Sequence, residues 1–482
     1  MASIKKNFAY NILLNVSNVL FPFITAPYVS RVLEPDGLGL ASFASNYAGY
    51  FVLFTGLGYS AYSIREVAKL RDHRAERQKF VGQIFTLLMI NAMLIFLIYL
   101  GSIFLLPKMR EHLLIFFIAG FSILFVPFDI GWYFSGMERF GFITSRNLII
   151  RCLLIACLFI FVRSKSDLYI YMILLVISTV GGMLWNLAEM KKDGVVLKFV
   201  RKGIRKHYKP MLILFASSVA ISIYTMVDTL MLGLMSDYSE VGYYRNATSI
   251  AKTILAVVTS LSAVAVPRVA YYARQNDIEA LNKLITKSFS VVGFLAIPSM
   301  FGLICIAPTF VPLFYGKAFV DATVPLMIMS GVIVAIGFNN LTGIQILIGM
   351  GRDSQFLKCV LIGSFSNFAM NLALIPFLGA SGAAASSVVA ESLILWATIV
   401  SVKKHTEIRF HNITSDVIKA FFASLLFIPV SIGIRSVLEG WLAVFAIISS
   451  CAMLYVISQK KLKSQSFEMI VTVIISNLKL KK

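Results

Sequence analysis

Residues 210–235 read PMLILFASSVAISIYTMVDTLMLGLM, an apolar stretch that contains a single charged side chain, Asp228. A helix needs about 20 mostly apolar residues to cross a lipid bilayer, so this stretch is long enough to span one. Of the 482 residues in the chain, 58% are hydrophobic and only 14% are charged. This composition excludes an ordinary soluble domain and indicates a membrane protein.

Apolar segments of spanning length recur along the whole chain, and the sequence predicts about fourteen transmembrane helices. They lie at 8–29, 38–63, 81–106, 112–135, 143–162, 168–188, 209–235, 243–266, 284–307, 323–348, 356–378, 381–402, 416–435 and 440–458. Such lengths favour helices over barrel strands, which would show about ten residues of alternating pattern. The first segment resembles an export signal but reaches full spanning length, so we interpret it as an uncleaved helix.

Lys and Arg residues are distributed unevenly between the predicted loops. With a cytoplasmic N-terminus, the cytoplasmic loops, the helix ends beside them and the two termini hold 34 of the 44 basic residues, whereas the opposite loops and helix ends hold 8. This bias predicts cytoplasmic N- and C-termini. It also explains the net charge of +21 through insertion and contact with membrane lipids, so no nucleic-acid partner is expected. The tail at 466–482 is too short to span and is predicted to lie along the inner surface.

Short motifs recur between the two halves of the chain. The sequence EPDGLG at 34–39 matches DYSEVG at 237–242, 203 positions later; the basic loops at 64–74 and 266–276 correspond, and SGMERFGF at 135–142 matches IGMGRDSQ at 348–355. An even number of helices per copy gives both copies the same orientation. We therefore predict an all-α polytopic fold with two parallel six-helix bundles, residues 1–208 and 209–411, and a third region, 412–482, with two further helices and the tail.

Polar side chains form stripes on the first two predicted helices of each repeat. The stripes contain Asn11, Asn15, Asn18, Pro22 and Thr25 on helix 1, Ser42, Asn46 and Tyr50 on helix 2, Ser218, Ser222 and Thr225 on helix 7, and Asn246 and Ser249 on helix 8. Residues at this spacing share one helix face. The stripes predict a shared, water-accessible cavity. The alternative is that these side chains only form hydrogen bonds between packed helices.

Charged residues within apolar segments are expensive to bury and mark candidate sites. Asp228 is interpreted as a protonation or cation site, or a gate contact to Lys252 or Arg245; a fixed ion pair with one of them is an equal alternative. Glu391 is predicted to be a second titratable site at the depth of Asn367 and Asn371.

Four further charged residues have predicted structural or interfacial roles. For Asp129 and Arg151, which lie at similar depths on neighbouring helices, a structural salt bridge is favoured. Arg31 and Arg146 are placed at the outer and inner ends of helices, where each either borders the cavity or extends to the membrane surface.

Several kinds of catalytic or cofactor site are not indicated by the sequence. The five cysteines show no pairing or CxxC spacing, the five histidines show no metal-ligand spacing, and there is no GxxxxGK[ST] motif. No predicted outer loop is large enough to hold a set of acid and base groups. We therefore expect a transporter without a cofactor, not an enzyme.

The segment NILLNVSNVLFPFITAPYVSRVLEPDGLGLASFASNYAGYFVLFTGLGYSAYSIREVAKLRD at 11–72 resembles bacterial polysaccharide repeat-unit flippases of the O-antigen and capsule (Wzx) type. These belong to the multidrug, oligosaccharidyl-lipid and polysaccharide exporter superfamily. PFITAPYVSRVL, DGLGLASFA and SIREVAKLRD are the most specific parts. VDTLMLG at 227–233 also resembles a stretch of the drug and cation antiporters of the same superfamily, so a proton- or cation-coupled multidrug antiporter is the alternative function.

The resemblance implies translocation of an undecaprenyl-diphosphate-linked oligosaccharide from the cytoplasmic to the outer leaflet by alternating access. It also implies a cationic central cavity that suits the lipid diphosphate. On this sequence the candidates are Arg31, Arg245 and Lys252, with Arg146 and Arg151 nearer the inner entrance, and the polar residues Asn11, Asn15, Asn18, Asn46 and Ser222 beside them. Asp228 and Glu391 are the candidates for coupling. A polysaccharide polymerase and a chain-length regulator are the implied protein partners.

Overall fold

The computed structural model describes residues 4–408, 414–464 and 466–468, but not the side chains of residues 4–9, 11, 12, 15, 16, 18, 19, 216–225, 260–264 and 414. Within these ranges the chain is almost entirely helical and contains no strand. Nine of the described helices are long and apolar enough to cross a membrane. The predicted all-α polytopic fold is confirmed, whereas the count of fourteen spans stays a prediction.

The chain divides into two compact units, Met1–Gly242 and Tyr243–Lys482. The helices that begin in the first unit are α1 (Ile4–Gly56), α2 (Tyr59–Lys69), α3 (Arg74–Leu105), α4 (Pro107–Arg110), α5 (Leu113–Phe125), α6 (Gly131–Gly136), α7 (Phe140–Phe161), α8 (Leu168–Lys192), α9 (Arg205–Met235) and α10 (Tyr238–Arg274). Those of the second are α11 (Ile278–Phe314), α12 (Thr323–Met329), α13 (Gly331–Asn339), α14 (Asp353–His405), α15 (Thr414–Leu425), α16 (Phe427–Arg435) and α17 (Gly440–Lys461). The predicted boundaries at 208 and 411 stay predictions; residue 411 lies outside the described residues.

Two long helices each contain two predicted spans, separated by a kink. α1 is interrupted at Glu34, with φ 56° and ψ 178°, immediately before Pro35. Proline disfavours helical backbone in the residue before it, which explains the break at this position. α14 is interrupted at Gly379, with φ 50° and ψ −128°. A residue with a side chain rarely adopts that conformation, so glycine suits the second kink.

The first unit is built around α1, which packs against α3, α5, α7 and α9. Glycines allow α1 to approach the end of α9 and the start of α10 closely. A β-carbon at Gly39 would overlap the carbonyl oxygen of Tyr238, and one at Gly233 would overlap the ring of Phe43. Small residues at helix contacts are a common means of association inside a membrane, where the hydrophobic effect does not drive helices together.

The segment that connects α8 to α9, residues 193–204, is held along α3 by side-chain to backbone hydrogen bonds. Gln78 Nε2 donates to the carbonyl of Val196 at 2.7 Å, and Val196 N donates to Gln78 Oε1 at 2.8 Å. Val200 N donates to Thr86 Oγ1 at 2.8 Å, and Gln83 Nε2 donates to the carbonyl of Lys202 at 2.7 Å. This basic connection is therefore an ordered part of the first unit.

His207, just before the predicted span at 209, belongs to the same region and is only 2% exposed. Its Nδ1 lies 2.8 Å from the hydroxyl of Tyr62, and its Nε2 lies 2.9 Å from Gln83 Oε1. Burial, assisted by the charge of Lys206, lowers the pKa of His207 to about 4. The imidazole is consequently neutral at physiological pH, when one nitrogen donates and the other accepts.

The second unit is centred on α11, which packs against α12, α13, α15 and α17. α13 continues into a π-helix, Asn340–Ile348, and α14 packs against both. Large apolar side chains such as Leu97 in the first unit and Phe365 and Phe377 in the second are exposed. Apolar surface of this kind is expected where lipid, not water, surrounds the protein.

One turn, within the repeated sequence motif, has the same backbone geometry in both units. Glu138 and Gly351 are left-handed, with φ 58° and φ 72°. Each precedes the arginine that caps a long helix: Arg139 has φ −88° and ψ 53°, and Arg352 has φ −101° and ψ 45°. A non-glycine residue rarely adopts positive φ, so the match at Glu138 supports a common origin for the two turns.

Candidate functional site

The first unit contains a polar cavity of about 340 Å³ between α7 and α8. Its polar lining consists of Asp129, Arg146, Asn147, Arg151, Ser178, Thr179 and Asn186. The structure thus brings together two predicted binding residues, Arg146 and Arg151, which lie about one and a half turns apart on α7. Ionisable side chains within a membrane-spanning bundle mark functional sites more often than structural ones.

Arg146 is anchored by two asparagines. Its guanidinium donates to Asn186 Oδ1, and its Nη2 donates to Asn147 Oδ1 at 2.6 Å. Asn186 is 2% exposed and belongs to α8, so this bond joins the two helices that form the cavity. Both asparagines are neutral, so their hydrogen bonds do not compensate the charge of Arg146; the carboxylate of Asp129 acts on it electrostatically without forming an ion pair.

Arg151 extends from α7 towards α1. Its Nη1 donates to Ser17 Oγ at 3.3 Å, and its guanidinium carbon lies 5.6 Å from the centroid of the Phe21 ring. An aromatic face stabilises a cation without neutralising it. Ser17 and Phe21 belong to the N-terminal part of α1, so the cationic cavity is in contact with the helix on which the sequence predicts a polar stripe.

The predicted salt bridge between Asp129 and Arg151 is wrong. Asp129 Oδ2 instead accepts from the hydroxyl of Tyr59 at 2.9 Å, and Oδ1 accepts from the backbone N–H of Gly131 at 3.1 Å. Within the part of the chain that the structure describes, no ion pair connects Asp129 to either cavity arginine. The cavity therefore has two guanidinium groups and one carboxylate that is bound elsewhere. Such an arrangement suits an anion with several oxygen atoms.

Asp228 lies near the C-terminal end of α9 and is 8% exposed. The same unit places it near the second half of α1, where its carboxylate acts electrostatically on the hydroxyl of Tyr50. Both that hydroxyl and Asn46 Oδ1 are buried and have no hydrogen-bond partner among the described residues. Buried polar atoms without partners are uncommon and point to water or a ligand at such a position.

The other predicted residues of the first unit are only partly described. Arg31 is exposed on α1. The backbones of Asn11, Asn15, Asn18 and Ser222 are helical, but their side chains lie outside the described residues. Their predicted role in lining a cavity stays a prediction.

In the second unit, Glu391 is 7% exposed and lies on α14. Asn339 Nδ2 donates to Glu391 Oε2 at 2.6 Å and to its backbone carbonyl at 3.1 Å. Asn367 and Asn371 are also buried, and Asn371 Nδ2 donates to Asn367 Oδ1 at 3.2 Å. Sequence reasoning missed Asn339, although the Asn339–Asn340 pair within an apolar segment was a usable signal.

Arg245 and Lys252 also belong to the second unit, and both side chains are exposed. The neighbouring Asn246 is 3% exposed, and its carbonyl accepts from the hydroxyl of Tyr315 at 3.3 Å. The five cysteines are free thiols. Among the described residues there is no group of three or more His, Cys, Asp or Glu side chains that would hold a metal ion.

Comparison with known proteins gives concordant results. Residues 4–273 match a family described as "Polysaccharide biosynthesis protein". The chain is 25% identical over 415 residues to a "Putative O-antigen transporter" of Escherichia coli (strain K12), covering 84% of this chain and 97% of that protein. It is 21% identical over 324 residues to a "Probable low-salt glycan biosynthesis flippase Agl15" of Haloferax volcanii. That match covers 64% of this chain and 66% of the relative.

Two solved structures share the fold. The "Lipid II flippase MurJ, inward closed conformation" superposes with a TM-score of 0.72 at 16% identity, covering 94% of this chain and 98% of that one. An inward-facing multidrug resistance MATE family transporter of the MOP superfamily has a TM-score of 0.59 at 15% identity. That match covers 80% of this chain and 96% of the transporter.

Proposed function

The chain belongs to the polysaccharide biosynthesis protein family, and from this membership we propose that it is a flippase for lipid-linked glycans. The proposed substrate is an undecaprenyl-diphosphate-linked oligosaccharide repeat unit, which the protein moves from the cytoplasmic to the outer leaflet of the bacterial inner membrane. The names of the O-antigen transporter and of the glycan biosynthesis flippase support this choice of substrate.

The observation that carries the proposal is the cavity around Arg146 and Arg151. A diphosphate presents several oxygen atoms and about two negative charges, and arginine binds such groups with two parallel hydrogen bonds. Asn147, Ser178 and Asn186 supply amide and hydroxyl groups of the kind that bind sugar hydroxyls. We assign the lipid diphosphate to the two arginines and the first sugar to the amides.

In this proposal the other predicted residues contact the substrate as it crosses the membrane. Arg31, Arg245 and Lys252 contact the diphosphate during transit, and Asn11, Asn15, Asn18, Asn46 and Ser222 contact the sugars. The two units alternate between inward-open and outward-open states. A polysaccharide polymerase and a chain-length regulator receive the product on the outer side.

Energetics permit export without nucleotide hydrolysis. Moving a unit charge through 100 mV is worth about 2.3 kcal/mol, so an inside-negative potential drives a group with two negative charges outward by about 4 to 5 kcal/mol. The return of an empty cationic cavity opposes the same field. We propose that protonation changes at Asp228 and Glu391 offset that cost.

The proposal is tested by neutralising the cavity in cells that depend on this chain for surface polysaccharide. We expect Arg146→Gln combined with Arg151→Gln to lower surface polysaccharide by about tenfold or more, with lipid-linked repeat units accumulating inside, because two charge-assisted contacts are lost. Arg163→Gln is the matched control, since Arg163 is exposed just after α7 and does not line the cavity. Normal export by the double variant at equal protein level would refute the assignment.

The alternative function, a proton- or cation-coupled multidrug antiporter, is separated by the same strains. The alternative is considered because the chain is similar in fold to a MATE family transporter. Deletion would then abolish drug or dye efflux and leave surface polysaccharide unchanged. Loss of polysaccharide with unchanged dye efflux excludes the antiporter.

A further inference from the structure

The second unit contains a polar cavity of about 540 Å³ that is separate from the candidate site. It lies between the end of α10 and the turn before α14, on the side predicted to be cytoplasmic. Arg274, Arg352, Ser354 and Gln355 provide its polar side chains, and Gly349 and Gly351 provide backbone. Two guanidinium groups line this cavity, and its lining contains no acidic residue.

In the corresponding region of the first unit, two arginines form ion pairs. Arg71 Nη2 lies 2.7 Å from Glu138 Oε1, and Arg71 Nε donates to the carbonyl of Gly136 at 2.9 Å. Arg139 Nη2 lies 2.7 Å from Asp193 Oδ1. Each arginine of that turn is therefore neutralised within the unit.

The repeated sequence relates the two regions residue by residue. The match of SGMERFGF to IGMGRDSQ places Gly136 opposite Gly349 and Glu138 opposite Gly351. The shared left-handed turn supports this correspondence. Arg274 lies beside the second turn, as Arg71 lies beside the first. Glycine thus stands where the first unit has the carboxylate that neutralises Arg71.

The nearby acids of the second unit do not replace Glu138. Asp277 Oδ1 accepts from the backbone N–H of Ala280 and caps α11 at 3.0 Å. Asp353 is exposed and does not line the cavity. Neither Arg274 nor Arg352 forms an ion pair with any residue that the structure describes. Two cations therefore face an open cavity without a compensating charge.

We propose that this cavity, lined by Arg274, Arg352 and Ser354, binds a phosphate-bearing group, which supplies from outside the negative charge that Glu138 supplies in the first unit. Planar guanidinium groups and a hydroxyl are donors that match phosphate oxygens. The phosphate comes either from the headgroup of an anionic lipid or from a soluble phosphate compound. This site does not depend on the proposed transport substrate.

The sharpest variant restores the missing carboxylate. Gly351→Glu gives the second turn the residue of the first, and a β-carbon at Gly351 meets no other atom within 4 Å. Gly351→Gln is the matched control, because it has the same size and the same left-handed backbone without the charge. Arg274→Gln with Arg352→Gln removes the binding groups directly. All variants are made with Arg146→Gln and Arg151→Gln, so that the cavity of the first unit does not contribute.

Binding is measured on the full chain in lipid nanodiscs. One arm titrates inorganic pyrophosphate into phosphatidylcholine discs by calorimetry; the other compares retention of phosphatidylglycerol and phosphatidylcholine by native mass spectrometry. In at least one arm we expect Gly351→Glu and the double arginine variant to bind the phosphate probe at least about tenfold more weakly. We expect Gly351→Gln to bind it as tightly as the protein with Gly351. Loss in the first arm identifies a soluble phosphate, and loss confined to the second identifies a lipid headgroup. Equal binding by Gly351→Glu and Gly351→Gln in both arms overturns the proposal.

Discussion

Asn339 Nδ2 donates a hydrogen bond of 2.6 Å to the carboxylate of Glu391, and this bond connects α13 to α14 where the π-helix begins. Both residues are buried. π-Helical turns within α-helices occur frequently at functional sites. The amide donor carries no charge, so this bond by itself does not hold Glu391 in its ionised form.

Glu391→Gln removes the charge and keeps an oxygen that accepts from Asn339. We expect normal protein levels and glycan export that no longer responds to collapse of the proton gradient by an uncoupler. Thr398→Val is a suitable control, since it removes a neighbouring hydroxyl bonded to Thr342 at 2.7 Å without changing charge. An unchanged uncoupler response in Glu391→Gln would exclude this residue from coupling.

Asp228→Asn tests the other buried carboxylate in the same way. The substitution preserves the size of the side chain and one acceptor oxygen beside Tyr50. If Asp228 carries the coupling proton, export by the variant becomes independent of the proton gradient while the protein remains folded. Retention of the gradient dependence would show that Asp228 has a structural role. Asp228→Asn and Glu391→Gln together distinguish one coupling site from two.

The lowered pKa of His207 predicts that the first unit loses stability in acid. Its pKa is lowered to about 4 in the folded chain, below the ordinary value of 6.5, so only the unfolded state binds a proton between these values. Stability is therefore retained above about pH 6.5 and lost as the pH falls towards 4, by roughly 2 kcal/mol at pH 5. Unfolding in mild detergent at several pH values measures this loss. His207→Gln should flatten the profile, and an identical profile would contradict the assignment.

Gly39 predicts a strong packing effect at the contact of α1 with the start of α10. Gly39→Ala would place a methyl group on the carbonyl oxygen of Tyr238, and we expect destabilisation by about 2 kcal/mol or more. Gly101→Ala, where nothing lies within 4 Å, should instead stabilise α3 by about 0.5 kcal/mol. Thermal unfolding of the two variants provides the comparison. Equal melting temperatures would show that the contact is not close in solution.

The sequence predicted the all-α membrane class correctly, because the length of an apolar segment is a local property. The motif shared by residues 135–142 and 348–355 was also recognisable, although the left-handed turn that both copies form was not predicted. The Asp129–Arg151 pair was predicted wrongly because similar depth does not determine which neighbour a side chain meets. Tyr59 reaches Asp129 from a helix distant in sequence. Asn339 was missed for the same reason.

The connecting segment 193–204 has a further consequence for the continuity of the chain. Its backbone bonds to Gln78, Gln83 and Thr86 attach the segment to α3, which precedes it in the chain. A polypeptide divided between residues 204 and 205 would thus leave its first fragment with an ordered C-terminal end. We expect the two fragments, produced together, to copurify and restore export; failure to associate would show that the covalent link itself is indispensable.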